Sequence, residues 1–376
     1  MKAAAREFVS LPVPPGTALE SQSGLQMNWP RVYGVLGHAA GNRVAAIVMH
    51  PASNFMGHYL VDPLAARGVD LLALNSRYVN NDSTLIMERV IQDLGAGVRM
   101  LRERGYAAVY LIGNSGGAAL CAFYQAQAED LTITDTPAGD PVSIEPAHLP
   151  PVDGIALNAA HLGRSQLLRD MLDASVIDES DPLAAAAALD IYAADRSPPF
   201  DDDFVQRVRT AQANRMDRIT ARVQARLAWL RETDSARDEA FIVHRTYADP
   251  RYIDLHLDAN DRQPGGNRGD DARSVNYGPN CLGRFCTLTS WLSQWSPLSR
   301  ADGPANLQRT TVPVLQIEHT ADGSVFPSTI ARWSRAAEGR VENLQLKGGN
   351  HYLKGQEHLV AQAAAAMADW MSAQAR

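Results

Sequence analysis

Cysteine is scarce in this chain. Cys121, Cys281 and Cys286 are the three in 376 residues, too few for a disulfide-built scaffold. Cys281 and Cys286 have four residues between them and no second Cys or His pair nearby, which argues against a zinc site. Buried thiols in a reducing cytoplasm are the expectation. Positive charge is not in excess either. Lys and Arg number 35 against 42 Asp and Glu, for a formal net charge of −7 and a pI near 5.8. No electrostatic footprint for nucleic acid or an anionic membrane surface follows from that balance. No apolar run approaches the length that crosses a bilayer, and the opening Met1–Ser10 lacks the apolar centre of a secretory signal. Internal repeats, low-complexity tracts, a P-loop and a dinucleotide fingerprint are all missing. Gly265–Gly269 is glycine-rich, but no strand precedes it. Asp258–Asn280 is acidic without a calcium-loop spacing, so it reads as a loop and not a metal site.

What remains is ordinary globular material, 45% hydrophobic and 20% charged, in a chain long for one compact domain. Short apolar runs alternate with helical pieces. β-like runs at Glu7–Val13 and Arg31–Leu36 come first, then Val44–His50, a helical piece Leu60–Arg67, and Val69–Asn75. A helix opening with the capping residues Asp82-Ser-Thr runs to about Arg104. The strand Ala108–Ile112, the helix Gly116–Glu129 and the strand Gly154–Asn158 follow. Such alternation predicts an α/β fold on a mostly parallel sheet. From Gly163 to about Thr310 the strand rhythm stops, and it resumes at Val312–Ile317, with a helix at Pro327–Ala337, a strand at Val341–Leu346 and a closing helix Glu357–Ala375. The expected organisation is a core of residues 1–162 and 311–376 with a mainly helical insertion, 163–310, after the sixth strand. Within it, Asp201–Arg231 reads as one long helix with Val208, Met216, Ile219, Val223, Leu227 and Leu230 on one face. Its arginines are expected to form a solvated face, which would also suit a homodimer.

The densest chemistry sits at Gly113-Asn-Ser115-Gly-Gly117, between a buried-strand run and a helix-forming run. A serine there occupies a tight strand-to-helix turn, the nucleophile elbow. The first amides of the new helix lack intrahelical partners and carry the positive end of its dipole, so an oxyanion beside them is stabilised. A serine hydroxyl needs a base. His38, His148, His256 and His358 have no positional reason to face the elbow, whereas His351 follows the last strand in Lys347-Gly-Gly-Asn-His351. That loop lies beyond the carboxyl ends of the strands, where open α/β sheets build their sites. Asp322, at the exit of Val312–Ile317, is the candidate acid, preferred over Glu318. The Gly116 amide is one oxyanion donor. The second is assigned to Ala52, with Ser53 as the alternative, because Pro51 has no N–H. His161, Ser53 and Trp291 are candidate substrate contacts. The insertion's aromatics Tyr192, Phe200, Tyr247, Tyr252, Tyr277, Phe285, Trp291 and Trp295 are expected mainly as packing, with a few lining an apolar pocket.

The order Ser115…Asp322…His351, the elbow, the His50-Pro51 loop and Ala321-Asp322-Gly-Ser-Val-Phe-Pro327 resemble an α/β-hydrolase-fold serine hydrolase of the esterase/lipase-like superfamily. The resemblance covers the sheet portions and not the insertion, and it departs at His50-Pro51, where many members have His-Gly. It implies a lid in the insertion and acyl transfer to water from a small-molecule ester, with no metal or organic cofactor. A lactonase or a C–C bond hydrolase acting on a diketone would use the same three residues. A non-catalytic binding protein on the same fold is the reading from another class. Epoxide hydrolases and haloalkane dehalogenases of this fold resemble the chain less, since they carry an aspartate at the position of Ser115.

Overall fold

The computed structural model describes residues 5–16, 24–234 and 237–375. Among these, eight strands form one sheet: β1 (Ala5–Pro12), β2 (Arg31–His38), β3 (Val44–His50), β4 (Val69–Asn75), β5 (Ala108–Asn114), β6 (Gly154–Asn158), then β9 (Val314–His319) and β10 (Val341–Leu346), after a separate two-stranded ribbon, β7 (Ala240–Ile242) and β8 (Phe285–Thr287). The spatial order is β1-β2-β4-β3-β5-β6-β9-β10. β1 and β2 pair antiparallel, as do β2 and β4, and every pairing from β4 to β10 is parallel.

The middle strands are buried on both faces, as parallel strands covered by helices must be. Every residue of β4 and β5 is buried. Alternate side chains therefore enter opposite layers. Ile47, Leu72, Leu74 and Leu111 pack with the helices Met87–Glu103 and Gly117–Glu129 on one face. Ala46, Val48, Leu71, Tyr110 and Ile112 pack with Met367, Trp370 and Met371 of the helix Glu357–Gln374 on the other. Capping differs from expectation before Met87. The N-cap is Ile86 without a side-chain cap, and the Asp82 carboxylate is engaged instead by Arg164 of the insertion.

Between β6 and β9 lies a large insertion built on the helix Asp202–Arg231, whose first turn is capped by the Asp201 carboxylate receiving the Phe204 amide. Met216, Ile219, Val223, Leu227 and Leu230 close a second core with Leu168, Leu172, Leu288, Trp291 and Trp295. The insertion is mainly helical, with the short ribbon β7–β8. Two expectations are corrected here. The stretch 258–280, read as a loop, holds a helix, Ala272–Tyr277. The arginine face is also only partly solvated. Arg207, Arg218 and Arg222 are exposed. Arg215 is fully buried, however, and its guanidinium reaches Glu179 and the carbonyls of Asp173, His244 and Arg245. Among the described residues no helix is long and apolar enough to cross a membrane, and no group of three or more His, Cys, Asp and Glu could hold a metal ion.

Candidate active site

β5 ends at Asn114 and the next helix begins at Gly117, leaving Ser115 and Gly116 to make the turn. Ser115 has φ of 55°, a left-handed conformation that costs a side-chain-bearing residue about 1–2 kcal/mol. Its backbone is held there from three directions. The Ser115 amide donates to the Asn158 carbonyl, and its own carbonyl accepts from the Ala118 and His161 amides. The flanking glycines are obligatory for a steric reason: a Cβ would stand 2.6 Å from the Ala118 Cα at Gly113 and 2.3 Å from the Met49 carbonyl at Gly117.

The Ser115 hydroxyl lies 3.0 Å from His351 Nε2, and His351 Nδ1 lies 2.7 Å from Asp322 Oδ2. Asp322 is fully buried. Its other oxygen accepts the Ser324 and Val325 amides at 2.8 and 3.0 Å, a turn that orients the carboxylate. Burial pushes the Asp322 carboxyl up, but the His351 ring and these hydrogen bonds outweigh it and hold the group below the ordinary carboxylate range. The His161 ring centroid is 5.3 Å from that of His351. Burial, assisted by repulsion from a protonated His351, lowers His161 to about 3, so it brings no positive charge of its own to the site at neutral pH.

Beneath the elbow runs a polar network. The Tyr59 hydroxyl donates to Asn114 Oδ1 at 3.0 Å, and the Asn158 amide reaches both. His319 Nε2 lies 3.1 Å from Asn158 Oδ1, and its Nδ1 is 2.9 Å from the Asn350 carbonyl. Asn350 immediately precedes His351. The network therefore ties the ends of β5, β6 and β9 to the loop that carries the imidazole, so the serine and histidine are positioned from one rigid base.

Above the serine is a cavity of about 370 Å³ between the sheet and the insertion. The insertion supplies Leu167, Met171, Tyr247, Tyr252, Leu282 and Trp295; the sheet side supplies His50, Phe55, His58 and Tyr59. This is the size and largely apolar character of small-molecule sites.

No protein-family model matches the chain, and no curated protein matches it. Solved structures do. DcsB, in complex with its substrate analogue, is similar over 98% of this chain and 100% of that one, at 11% identity and a TM-score of 0.52. The esterase domain of a Rhodothermus marinus protein covers 97% of both chains at 13% identity, with a TM-score of 0.47. A monoacylglycerol lipase from Paleococcus ferrophilus covers 91% of this chain and 99% of its own, at 13% identity and a TM-score of 0.46. The DcsB likeness runs end to end through both chains and accompanies the strand order and the elbow. The chain has the α/β-hydrolase fold.

On this α/β-hydrolase scaffold the residues singled out from the sequence are distributed unevenly. Ser115, His351 and Asp322 meet in one hydrogen-bonded line. Ser53 and His161 line the cavity, as Gly116 does. Trp291 does not. It is fully buried in the insertion's own core, with its indole N–H on Thr220 and its ring edge-on to Phe241. The turn 291–295 is π-helical, and Trp295, four residues on, is the tryptophan that lines the cavity. The Ala52 amide is engaged, donating to His50 Nδ1 at 3.1 Å, and the Ser53 amide donates to the same atom at 2.8 Å. Sequence reasoning passed over the His50 side chain, Ser324 and the Asn114–Asn158–His319 network. The one signal for the network was a polar residue at the end of each of three strands, Asn114, Asn158 and His319. Neither the structure nor the comparisons support the homodimer.

Proposed function

We propose that this protein is a serine hydrolase that cleaves carboxylic esters of small-to-medium apolar substrates through an acyl-enzyme. The observation that carries this reading is the continuous line from the Ser115 hydroxyl through His351 to buried Asp322, opening into an apolar cavity. In the reaction His351 Nε2 takes the Ser115 proton as Oγ attacks the ester carbonyl, forming the C–O bond of a tetrahedral intermediate. Asp322 accepts from His351 Nδ1–H and stabilises the imidazolium. The Gly116 amide, at the start of the elbow helix, faces the developing oxyanion. His351 then returns the proton to the leaving alkoxide as the acyl–oxygen bond breaks, and water releases the acid by the same route. The insertion acts as the lid, covering the serine with Leu167, Met171, Tyr247, Tyr252 and Trp295.

The test is a series of p-nitrophenyl acyl esters with a fluorophosphonate as covalent probe. Wild type is expected to turn the esters over and to gain one phosphonyl group at Ser115. Ser115→Ala should lose turnover by at least about 10⁴-fold and gain no adduct. Asp322→Asn should lower kcat by about 10⁴-fold while remaining folded. Unchanged turnover in Ser115→Ala would remove the hydrolase reading. A lactone and β-diketone series on the same variants separates ester cleavage from the related uses of the same residues.

A further inference from the structure

A tetrahedral oxyanion needs two donors, and the backbone after β3 is short of one. Pro51 has no N–H, and the amides of Ala52 and Ser53 both point at the His50 ring nitrogen Nδ1. Those two hydrogen bonds determine the state of the imidazole. A nitrogen that accepts two amide hydrogens carries no hydrogen itself, so both the imidazolium and the Nδ1–H tautomer are excluded. A neutral ring must then carry its hydrogen on Nε2, as a donor.

Nε2 also lies in the right place. His50 is the last residue of β3, the strand paired with nucleophile-bearing β5. A Cβ on Gly116 would come within 2.6 Å of His50 Nε2, so the imidazole occupies the space that a side chain after the nucleophile would fill. Nε2 has no hydrogen-bond partner among the described residues, and His50, Ser115 and Gly116 line one cavity. The ring is held by its two Nδ1 bonds and by Phe55, 5.4 Å away between centroids.

We propose that His50 is the second oxyanion donor, acting through Nε2–H beside the Gly116 amide in place of a backbone amide from the loop. This rests on the serine-hydrolase reading above. Burial, with a smaller contribution from the positive charge of Arg164, lowers the His50 pKa to about 3, in accord with a ring that stays neutral through the working range. A neutral donor is preorganised for the developing charge, and it leaves proton transfer to His351.

Side-chain geometry separates this role from mere anchoring of the loop. In His50→Asn the Oδ1 atom can take the place of Nδ1 and still accept the Ala52 and Ser53 amides, but nothing reaches the Nε2 position. In His50→Gln the Nε2 amide can reach that position, while the loop anchor is lost. The experiment measures kcat and KM for p-nitrophenyl esters and the affinity of an aryl trifluoromethyl ketone, whose Ser115 hemiketal places an oxyanion in the hole. His50→Asn and His50→Ala are expected to lose about 100-fold in kcat, with KM within a few fold and ketone affinity reduced by a similar factor. His50→Gln should retain more activity than either. The ranking Asn above Gln, or ketone binding within threefold of wild type in His50→Asn, overturns the donor role. If wild type forms no hemiketal and no fluorophosphonate adduct, the serine-hydrolase reading itself falls and the donor role with it.

Discussion

The sheet and its insertion are held together by different physics. In the sheet, aliphatic side chains alternate into two apolar layers, and β3, β5 and β6 between them carry no Asp, Glu, Lys or Arg. The insertion closes a smaller apolar core and completes itself with buried arginines. Arg215 is spread over Glu179 and three carbonyls. Arg245 is paired with Asp173, Ser175 and Tyr277. Arg251 and Arg209 flank Asp249, whose carboxyl is pushed up by burial yet held well below its usual range by these two guanidiniums. Apolar layers tolerate small losses by partial collapse. A buried guanidinium network does not, since removing one member strands the others in a poorly solvated site. The half of the molecule that shapes the substrate cavity is thus expected to be the half more easily lost.

The contrast is broken most strongly at Arg215. Arg215→Ala is expected to cost about 3–5 kcal/mol, with the loss concentrated in the insertion; hydrogen exchange should rise across 164–310 while β3–β6 stay protected. Uniform exchange across both regions would show that they unfold as one unit. The junction comes next. Glu88, in the first turn of the helix Met87–Glu103, is fully buried and accepts from Ser293 of the insertion, with the Arg300 guanidinium at 3.9 Å. Burial raises its pKa to about 7 against the opposing pull of Ser293 and Arg300. The folded state therefore keeps a proton that the unfolded chain releases at lower pH, and stability falls as pH rises from about 4.5 to 7, then levels. Glu88→Gln should remove that slope and gain on the order of 2–3 kcal/mol relative to wild type between pH 5 and 8, read from urea midpoints at each pH. An unchanged slope would exclude Glu88 as its source. Within the sheet, Ile47→Val should cost about 1 kcal/mol without changing insertion exchange. Smallest is the exposed pair between Arg226 on the long helix and Glu239 just before β7. Its removal should change stability by less than about 1 kcal/mol, in contrast with Arg215 on the same helix.

Legibility followed the same division. Strands buried on both faces appear as apolar runs, so β3, β4 and β6 are readable to the residue; the edge strand β10 is half polar, and alternation with the preceding helix marks it instead. The elbow was readable because only glycine fits where Gly113 and Gly117 meet neighbouring backbone. Three-residue strands such as β7 and β8 have no period to detect. An arginine on a helix looks the same in sequence whether it faces water, like Arg222, or a set of buried carbonyls, like Arg215. Trp291 is the candidate cavity residue on sequence grounds, but packing turns its ring onto Thr220 and Phe241 and leaves Trp295 to line the cavity. The role of the His50 side chain is not legible in sequence, because only the folded loop turns the Ala52 and Ser53 amides onto Nδ1.

The sequence by itself determined the layered α/β architecture, the site of the large insertion and the strand ends from which Ser115, Asp322 and His351 project. Hydrophobic period and glycine sterics are local properties, and a local pattern is enough to specify them. The tertiary structure alone decided which amides are free, which imidazole nitrogen carries a hydrogen, which aromatic rings line the cavity and which arginines are buried. Each of those depends on a partner far away along the chain, and hydrogen-bond direction and burial exist only once that partner is in place.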